Sequence, residues 1–74
     1  MTDIVAEQIE IVFLVEEDVE GGFNARALGQ PIFTQAETIE ELREMVADAV
    51  RCHFDDDKRR IVRLHYVRDE VVSV

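Results

Sequence analysis

The chain has 74 residues, of which 17 are acidic and 8 are basic, so its formal net charge at pH 7 is −9. Such a chain forms one domain near the lower size limit for an independent core, so self-association or a bound partner is an expected source of stability. The acidity argues against nonspecific binding of DNA or RNA, which needs clustered Lys and Arg, and it suits a basic protein partner. That the acidity only maintains solubility is an equally open interpretation.

The cysteine content and the amino-terminal sequence indicate the cellular compartment. Cys52 is the single cysteine, which excludes an intramolecular disulfide and a cysteine metal cluster. Residues 1–4 lack the basic start and apolar run of a signal peptide. No apolar stretch approaches the roughly 18 residues that span a bilayer. We therefore expect a cytoplasmic protein that does not bind membranes.

Alternating apolar residues predict a first strand that begins at Ile9 and ends near Glu17. One face carries Ile9, Ile11, Phe13 and Val15, and the other carries Val12 and Leu14. Apolar residues on both faces are typical of a strand that is central in its sheet or meets a partner on its second face.

A glycine pair, Gly21-Gly22, predicts a tight turn after this strand, because glycine adopts the positive φ angles that the reversal needs. A second strand follows over residues 23–28. Gly29-Gln30-Pro31 ends it, since proline cannot donate to a ladder and glycine weakens one. A short third strand over residues 32–36 is expected to pair antiparallel with the second.

Thr38 and Glu41 have the spacing of a capping box, which predicts that a helix begins at Thr38. Apolar residues then recur at steps of three and four along one helix face. They are Ile39, Leu42, Met45, Val46, Ala49, Val50 and His53 or Phe54. The run Asp55-Asp56-Asp57 would repel the negative end of the helix dipole, so we expect the helix to end near Phe54.

A last strand is predicted over residues 61–67, with Val62, Leu64 and Tyr66 on one face. The β-branched tail at 71–74 could extend a sheet edge or pair with another chain. The predicted fold is therefore α+β, in the order β-β-β-α-β, with an antiparallel sheet and one helix packed on one face.

We expect a single domain over residues 1–74. Its core lies at about 9–67, and residues 1–8 and 68–74 are terminal segments, the first of which is expected to fray.

The sequence holds no group of residues typical of a catalytic site. Thr38 is accounted for as a helix cap, and nothing else resembles an activated nucleophile. Cys52 and His53 are neighbours on the helix and point about 100° apart, so we expect them to pack near the helix end and not to bind a metal. The acidic run 55–57 lacks the glycine-spaced pattern of a calcium loop and is expected to be solvated. We predict a protein that is not an enzyme and has no cofactor or metal.

Two sequence motifs, one after the other along the chain, resemble motifs of the HicB family of bacterial antitoxins. The first is the acidic-Gly-Gly-aromatic hairpin at 20–25, EGGFNA. The second is the family's Thr-x-Gly-Asp-Thr-x-Glu-Glu-Ala segment, which reads TQAETIEEL at 34–42. The similarity runs over about residues 9–67. The chain departs from the family at residues 29–32, where a Leu-Pro-Gly-Cys bend is shortened, and at Ala36, where glycine is usual.

The resemblance implies a truncated ribonuclease-H-like core without catalytic carboxylates. It implies a domain that binds a small basic RNA-cleaving toxin of the HicA type and neutralises it. Many members append a DNA-binding segment, which does not occur before Val74, so we expect no autorepression and no direct nucleic-acid binding. The alternative is a stand-alone homo-oligomer, dimeric or tetrameric, that has no toxin partner and an unassigned function.

Two sets of residues are candidates for protein contacts. Acidic residues of the hairpin and helix are candidates for contacting a toxin: Glu16, Glu17, Asp18, Glu20, Glu37, Glu40, Glu41 and Glu44. The sheet face that carries Val12 and Leu14 is a candidate for self-association, because one helix covers only one face of a sheet and exposed apolar surface marks interaction sites.

Overall fold

The computed structural model describes residues 9–56 and 58–74, so the expected fraying of residues 1–8 lies outside the described residues. Its elements are β1 (Ile9–Glu17), β2 (Phe23–Ala27), β3 (Phe33–Ala36), α1 (Ile39–Phe54) and β4 (Arg60–Val67). The α+β class and the order β-β-β-α-β are confirmed.

The four strands form one sheet in the order β3-β2-β1-β4. β2 pairs antiparallel with both β1 and β3, as predicted. β4 instead pairs in parallel with β1, with Ile11 opposite Val62 and Phe13 opposite Leu64. The sheet is therefore mixed, and the expectation of antiparallel pairing is corrected at β4. β3 runs in the same direction as β1, and α1 returns the chain to the starting end, so β4 must also run that way.

The hydrophobic core lies between α1 and one face of the sheet. Its buried residues are Ile11, Phe13, Val15, Ala25, Ala27, Ile32, Leu42, Val46 and Val50. The predicted inward face of β1 is confirmed from Ile11 to Val15, whereas Ile9 at the strand start is partly exposed. Met45 of the predicted helix stripe is also exposed, because the row from Leu42 to Val50 faces the sheet.

The hairpin tip packs against the connection between β3 and α1. Gly21 and Gly22 have φ angles of 102° and 81°. A Cβ on Gly22 would lie 2.8 Å from the carbonyl oxygen of Ala36 and 3.5 Å from the Cα of Glu37. Glycine is therefore required at position 22 by both its φ angle and the closeness of the neighbouring backbone.

Signals at both ends of α1 act as the sequence predicts. The hydroxyl of Thr38 accepts the N–H of Glu41 at 3.1 Å, and the Glu41 carboxylate accepts the N–H of Glu37 at 3.1 Å. The first bond is the cap that the sequence predicts, whereas the second goes to the N–H of the residue before the cap and not to that of Thr38. The helix ends at Phe54, and Asp55 follows in the left-handed conformation with a φ of 35°. The predicted start and end of α1 are confirmed.

Replacing Gly22 by Ala should lower the free energy of unfolding by about 2–4 kcal/mol, because a backbone clash adds to the strain of a positive φ. Gly21→Ala is the matched control, since its φ is also positive but no atom lies within 4 Å of the added Cβ. We expect that control to lose about 1–2 kcal/mol. Urea denaturation followed by circular dichroism measures both, and equal losses would contradict a role for the Ala36 contact.

Thr38→Ala should destabilise the protein by about 1 kcal/mol, because the N–H of Glu41 loses its acceptor. Thr38→Ser keeps the hydroxyl oxygen and should stay close to the wild type in the same denaturation experiment. If the two variants lose the same amount, the hydrogen bond is not the source of the effect.

Candidate interaction surfaces

An acidic cleft of about 440 Å³ lies where the hairpin tip meets the start of α1. Its carboxylates come from Asp18 and Glu20 of the turn and from Glu37 and Glu41 at the helix start. The approach of Gly22 to the β3–α1 connection brings these two pairs together. Half of the residues that the sequence singles out for toxin contact therefore line one cleft.

The four carboxylates of the acidic cleft differ in what they already bind. Asp18 accepts the N–H of Glu20 at 2.9 Å, and Glu41 accepts the N–H of Glu37. The side chains of Glu20 and Glu37 are exposed and make no hydrogen bond or ion pair with any described residue. No basic side chain lines the cleft within the described ranges. Glu20 and Glu37 are thus free to meet cationic groups of a partner.

The other four acidic candidates lie outside the cleft. Glu16 points to the sheet face opposite α1, in register with Asn24. Glu17 lines a neighbouring groove of about 310 Å³. Glu40 and Glu44 are exposed on α1. The tertiary structure therefore divides the predicted acidic set between the cleft and its surroundings.

The sheet face opposite α1, called the open face below, is not covered by any described element. Val12 and Leu14 lie on this face and are half-buried, as the alternation of β1 predicts. Their apolar neighbours on this face lie outside the set predicted for self-association. These neighbours are Leu28, Phe33 and Ile61, which are 49%, 58% and 46% exposed. Strand alternation places Leu28 on this face, but the positions of Phe33 and Ile61 depend on the register with β2 and β1.

Arg60 holds the connection between α1 and β4. Its guanidinium donates two hydrogen bonds to the Asp56 carboxylate, at 2.7 and 3.0 Å, and lies 3.8 Å from the centroid of the Phe54 ring. The Asp56 carboxylate also accepts the N–H of Lys58 at 3.0 Å. The bonds from Arg60 and then from Lys58 lower the pKa of Asp56 to about 2. Asp55 and Asp56 are both exposed, as expected of a solvated acidic run, and Asp56 is in addition paired with Arg60; Asp57 lies outside the described residues.

Cys52 and His53 are both exposed, which corrects the expectation that they pack near the helix end. They lie on the solvent side of the last helical turn, and the His53 ring only meets the edge of Phe54, with centroids 4.7 Å apart. No group of three or more His, Cys, Asp or Glu within residues 9–56 and 58–74 could hold a metal ion. None of the helical segments in those ranges combines the length and apolarity required to cross a bilayer.

Comparison with known proteins finds close relatives along most of the chain. A UPF0150 protein of Thermotoga maritima is 43% identical over 67 residues, which cover 90% of this chain and 96% of that protein. The chain belongs to the UPF0150 family. A UPF0150 protein of Archaeoglobus fulgidus is 59% identical over 49 residues, covering 66% of this chain and 73% of the relative. No family model and no solved structure matches the chain.

The UPF0150 name states no activity, and neither relative's name mentions an antitoxin. The similarity therefore establishes the family and states no role for the acidic cleft or the open face of this UPF0150 protein.

The Asp56–Arg60 pair should make the free energy of unfolding of this UPF0150 protein depend on pH in the acidic range. Because the pKa of Asp56 is lowered on folding, its contribution is present above the unfolded pKa of about 4 and is lost as the pH falls towards 2. Asp56→Asn should therefore flatten the fall in unfolding free energy between about pH 5 and pH 2. Urea denaturation at several pH values measures this slope, and an unchanged slope would contradict the assignment.

Proposed function

We propose that this UPF0150 protein is a non-catalytic binding domain that neutralises a small basic RNA-cleaving toxin of the HicA type by direct contact, as the HicB-type antitoxins do. The observation that carries the proposal is the acidic cleft. The cleft is lined by residues of the two motifs that resemble the HicB family, the hairpin at 20–25 and the segment at 34–42.

The electrostatics of the cleft favour a cationic partner. Glu20 and Glu37 line a space that no described basic side chain enters. Exposed ion pairs contribute only about 0.2–1 kcal/mol each, so several contacts are needed for a stable complex. Glu16, Glu17, Glu40 and Glu44 lie outside the cleft and would mainly speed the encounter with a basic surface. The net charge of −9 also attracts a basic partner.

The cleft is also held in place before a partner arrives. The Gly22 contact with Ala36 joins the hairpin tip to the β3–α1 connection. The capping box orients the Glu41 carboxylate. A preformed site loses little conformational freedom on binding, which favours affinity. The proposed neutralisation therefore needs no ordering of the cleft.

A second candidate function is that of a stand-alone homo-oligomer without a toxin. The apolar content of the open face favours it, since Leu28 and Phe33 extend the patch formed by Val12 and Leu14. The charges on this face are balanced in number, because Arg26 and Arg63 accompany Glu10 and Glu16. Two acidic chains would meet less repulsion there than at the cleft.

Co-expression with a HicA-like protein from an adjacent reading frame tests the first candidate. We expect the two chains to co-purify on size exclusion and the toxin's RNA cleavage to be suppressed. Glu20→Lys with Glu37→Lys should weaken the complex at least about tenfold, because attraction becomes repulsion in the cleft. Isothermal titration calorimetry measures the change.

Glu44→Lys with Asp48→Lys is the matched control, with the same change of net charge on the exposed side of α1. It should weaken binding much less. Equal losses in the two double variants would show that only net charge matters and would contradict a site at the cleft. A toxin that neither co-purifies nor loses activity would overturn the antitoxin role.

A further inference from the structure

β4 is the longer of the two edge strands of the sheet. It has eight residues, whereas β3 at the other edge has four. Its pairing with β1 runs without a bulge from Arg60 to Val67, and no described element lies beyond it. An edge strand presents a row of unpaired N–H and C=O groups, and bulges, proline, short length or charged side chains normally prevent their pairing with another chain. β4 has no bulge and no proline and is eight residues long, and its charged residues Arg60 and Arg63 are ion-paired with Asp56 and Glu10 of the same chain.

Apolar side chains accompany this edge on both faces of the sheet. Ile61 on the open face is 46% exposed, and Tyr66 on the helix side is 50% exposed. α1 lies mainly over β2 and β3, so it leaves the helix side of β4 partly uncovered. Val62 and Leu64 line a groove of about 320 Å³ there. Another strand placed beside β4 would therefore gain apolar contacts as well as backbone hydrogen bonds.

Charges of opposite sign flank β4. Lys58 and Arg59 precede it, Asp69 and Glu70 follow it, and all four are exposed. None of them forms an ion pair with another described residue. An antiparallel copy of the same strand would bring the basic end of one chain to the acidic end of the other. The flanking charges are thus self-complementary.

We propose that two copies of this chain pair antiparallel through their β4 edges, about a twofold axis at Leu64. In this register Arg59 lies near Asp69 of the second copy, and Lys58 lies near its Glu70. The two helices lie on the same side of one continuous sheet, because directly opposed residues share a face. The proposal does not depend on the existence of a toxin.

The same register pairs the apolar residues of β4. Ile61 lies opposite Val67 on the open face, and Val62 lies opposite Tyr66 on the helix side. Two arginines are brought towards other side chains that can carry positive charge. Arg60 approaches Arg68 of the second copy, but Asp56 of its own chain neutralises Arg60. Arg63 lies opposite His65 of the second copy, and Glu10 of its own chain neutralises Arg63. The register therefore leaves no pair of uncompensated arginines.

The charge of the segment favours a second copy over a basic protein. Five of the eight basic residues of the chain lie between residues 58 and 68. On a chain of net charge −9, this segment is where another acidic chain can approach with least repulsion. A basic toxin would instead be directed to the acidic cleft. The two proposed contacts use different surfaces.

Light scattering coupled to size exclusion tests the pairing, with a dimer expected at about twice the monomer mass of 8.5 kDa. Arg59→Asp and Asp69→Arg should each raise the dissociation constant about tenfold, because two symmetry-related attractions become repulsions. An equimolar mixture of the two variants should restore the dimer, since the carboxylate introduced at position 59 of one chain then faces the guanidinium introduced at position 69 of the other. Arg51→Asp and Asp48→Arg, an exposed pair on α1, are the matched controls and should not change association.

A cross-linking experiment locates the axis. In a Cys52→Ser background, Leu64→Cys should form an intermolecular disulfide, and Leu28→Cys on the open face should not. A monomeric wild type, a mixture that fails to restore association, or cross-linking at Leu28 without cross-linking at Leu64 would each overturn the proposal. If the assembly is a tetramer, the charge-swap variants still test the proposal, because they report on the β4 pairing within the tetramer.

Discussion

The close approach of Gly22 to the backbone of Ala36 is the contact on which the rest of this small structure depends. It joins a hairpin tip to the start of the only helix among the described residues, where any side chain at position 22 would meet a carbonyl oxygen. Because α1 begins directly after this contact, the position of the hairpin also determines where the helix starts over the sheet. The acidic cleft is the surface that results.

The position of α1 also explains which parts of the sheet remain uncovered. α1 lies mainly over β2 and β3 and buries the central strand, but it leaves the outer strand β4 only half covered. The open face has no covering element among the described residues. The described residues include no second layer on the open face, so association with another chain would be one way to cover these surfaces.

The acidic cleft and the β4 edge differ in the sign of their charge. The acidic cleft is lined by Glu20 and Glu37 without a described counter-ion, whereas the β4 segment carries most of the basic residues of the chain. A basic partner and a second copy of an acidic chain would therefore be drawn to different surfaces of the same domain. The two proposed contacts could therefore form at once, because neither uses the residues of the other.

The positions of the strands and of the helix follow from local sequence patterns. Their signals are local: alternation in β1, the glycine pair of the turn and the capping box at Thr38 each act within a few residues. Residue types alone also indicated an acidic protein without an evident catalytic group. Four of the eight acidic residues predicted for partner contact flank those local signals, with Asp18 and Glu20 at the turn and Glu37 and Glu41 at the helix cap.

How these elements combine became visible only in the three-dimensional fold. The parallel pairing of β4 depends on the path of α1 across the sheet, which no local pattern specifies. The meeting of Glu20 with Glu37 and the placing of Phe33 on the same face as Leu14 depend on strand register. In each case the groups are far apart in sequence and their distance is set by the whole fold, so no local pattern could predict their contact.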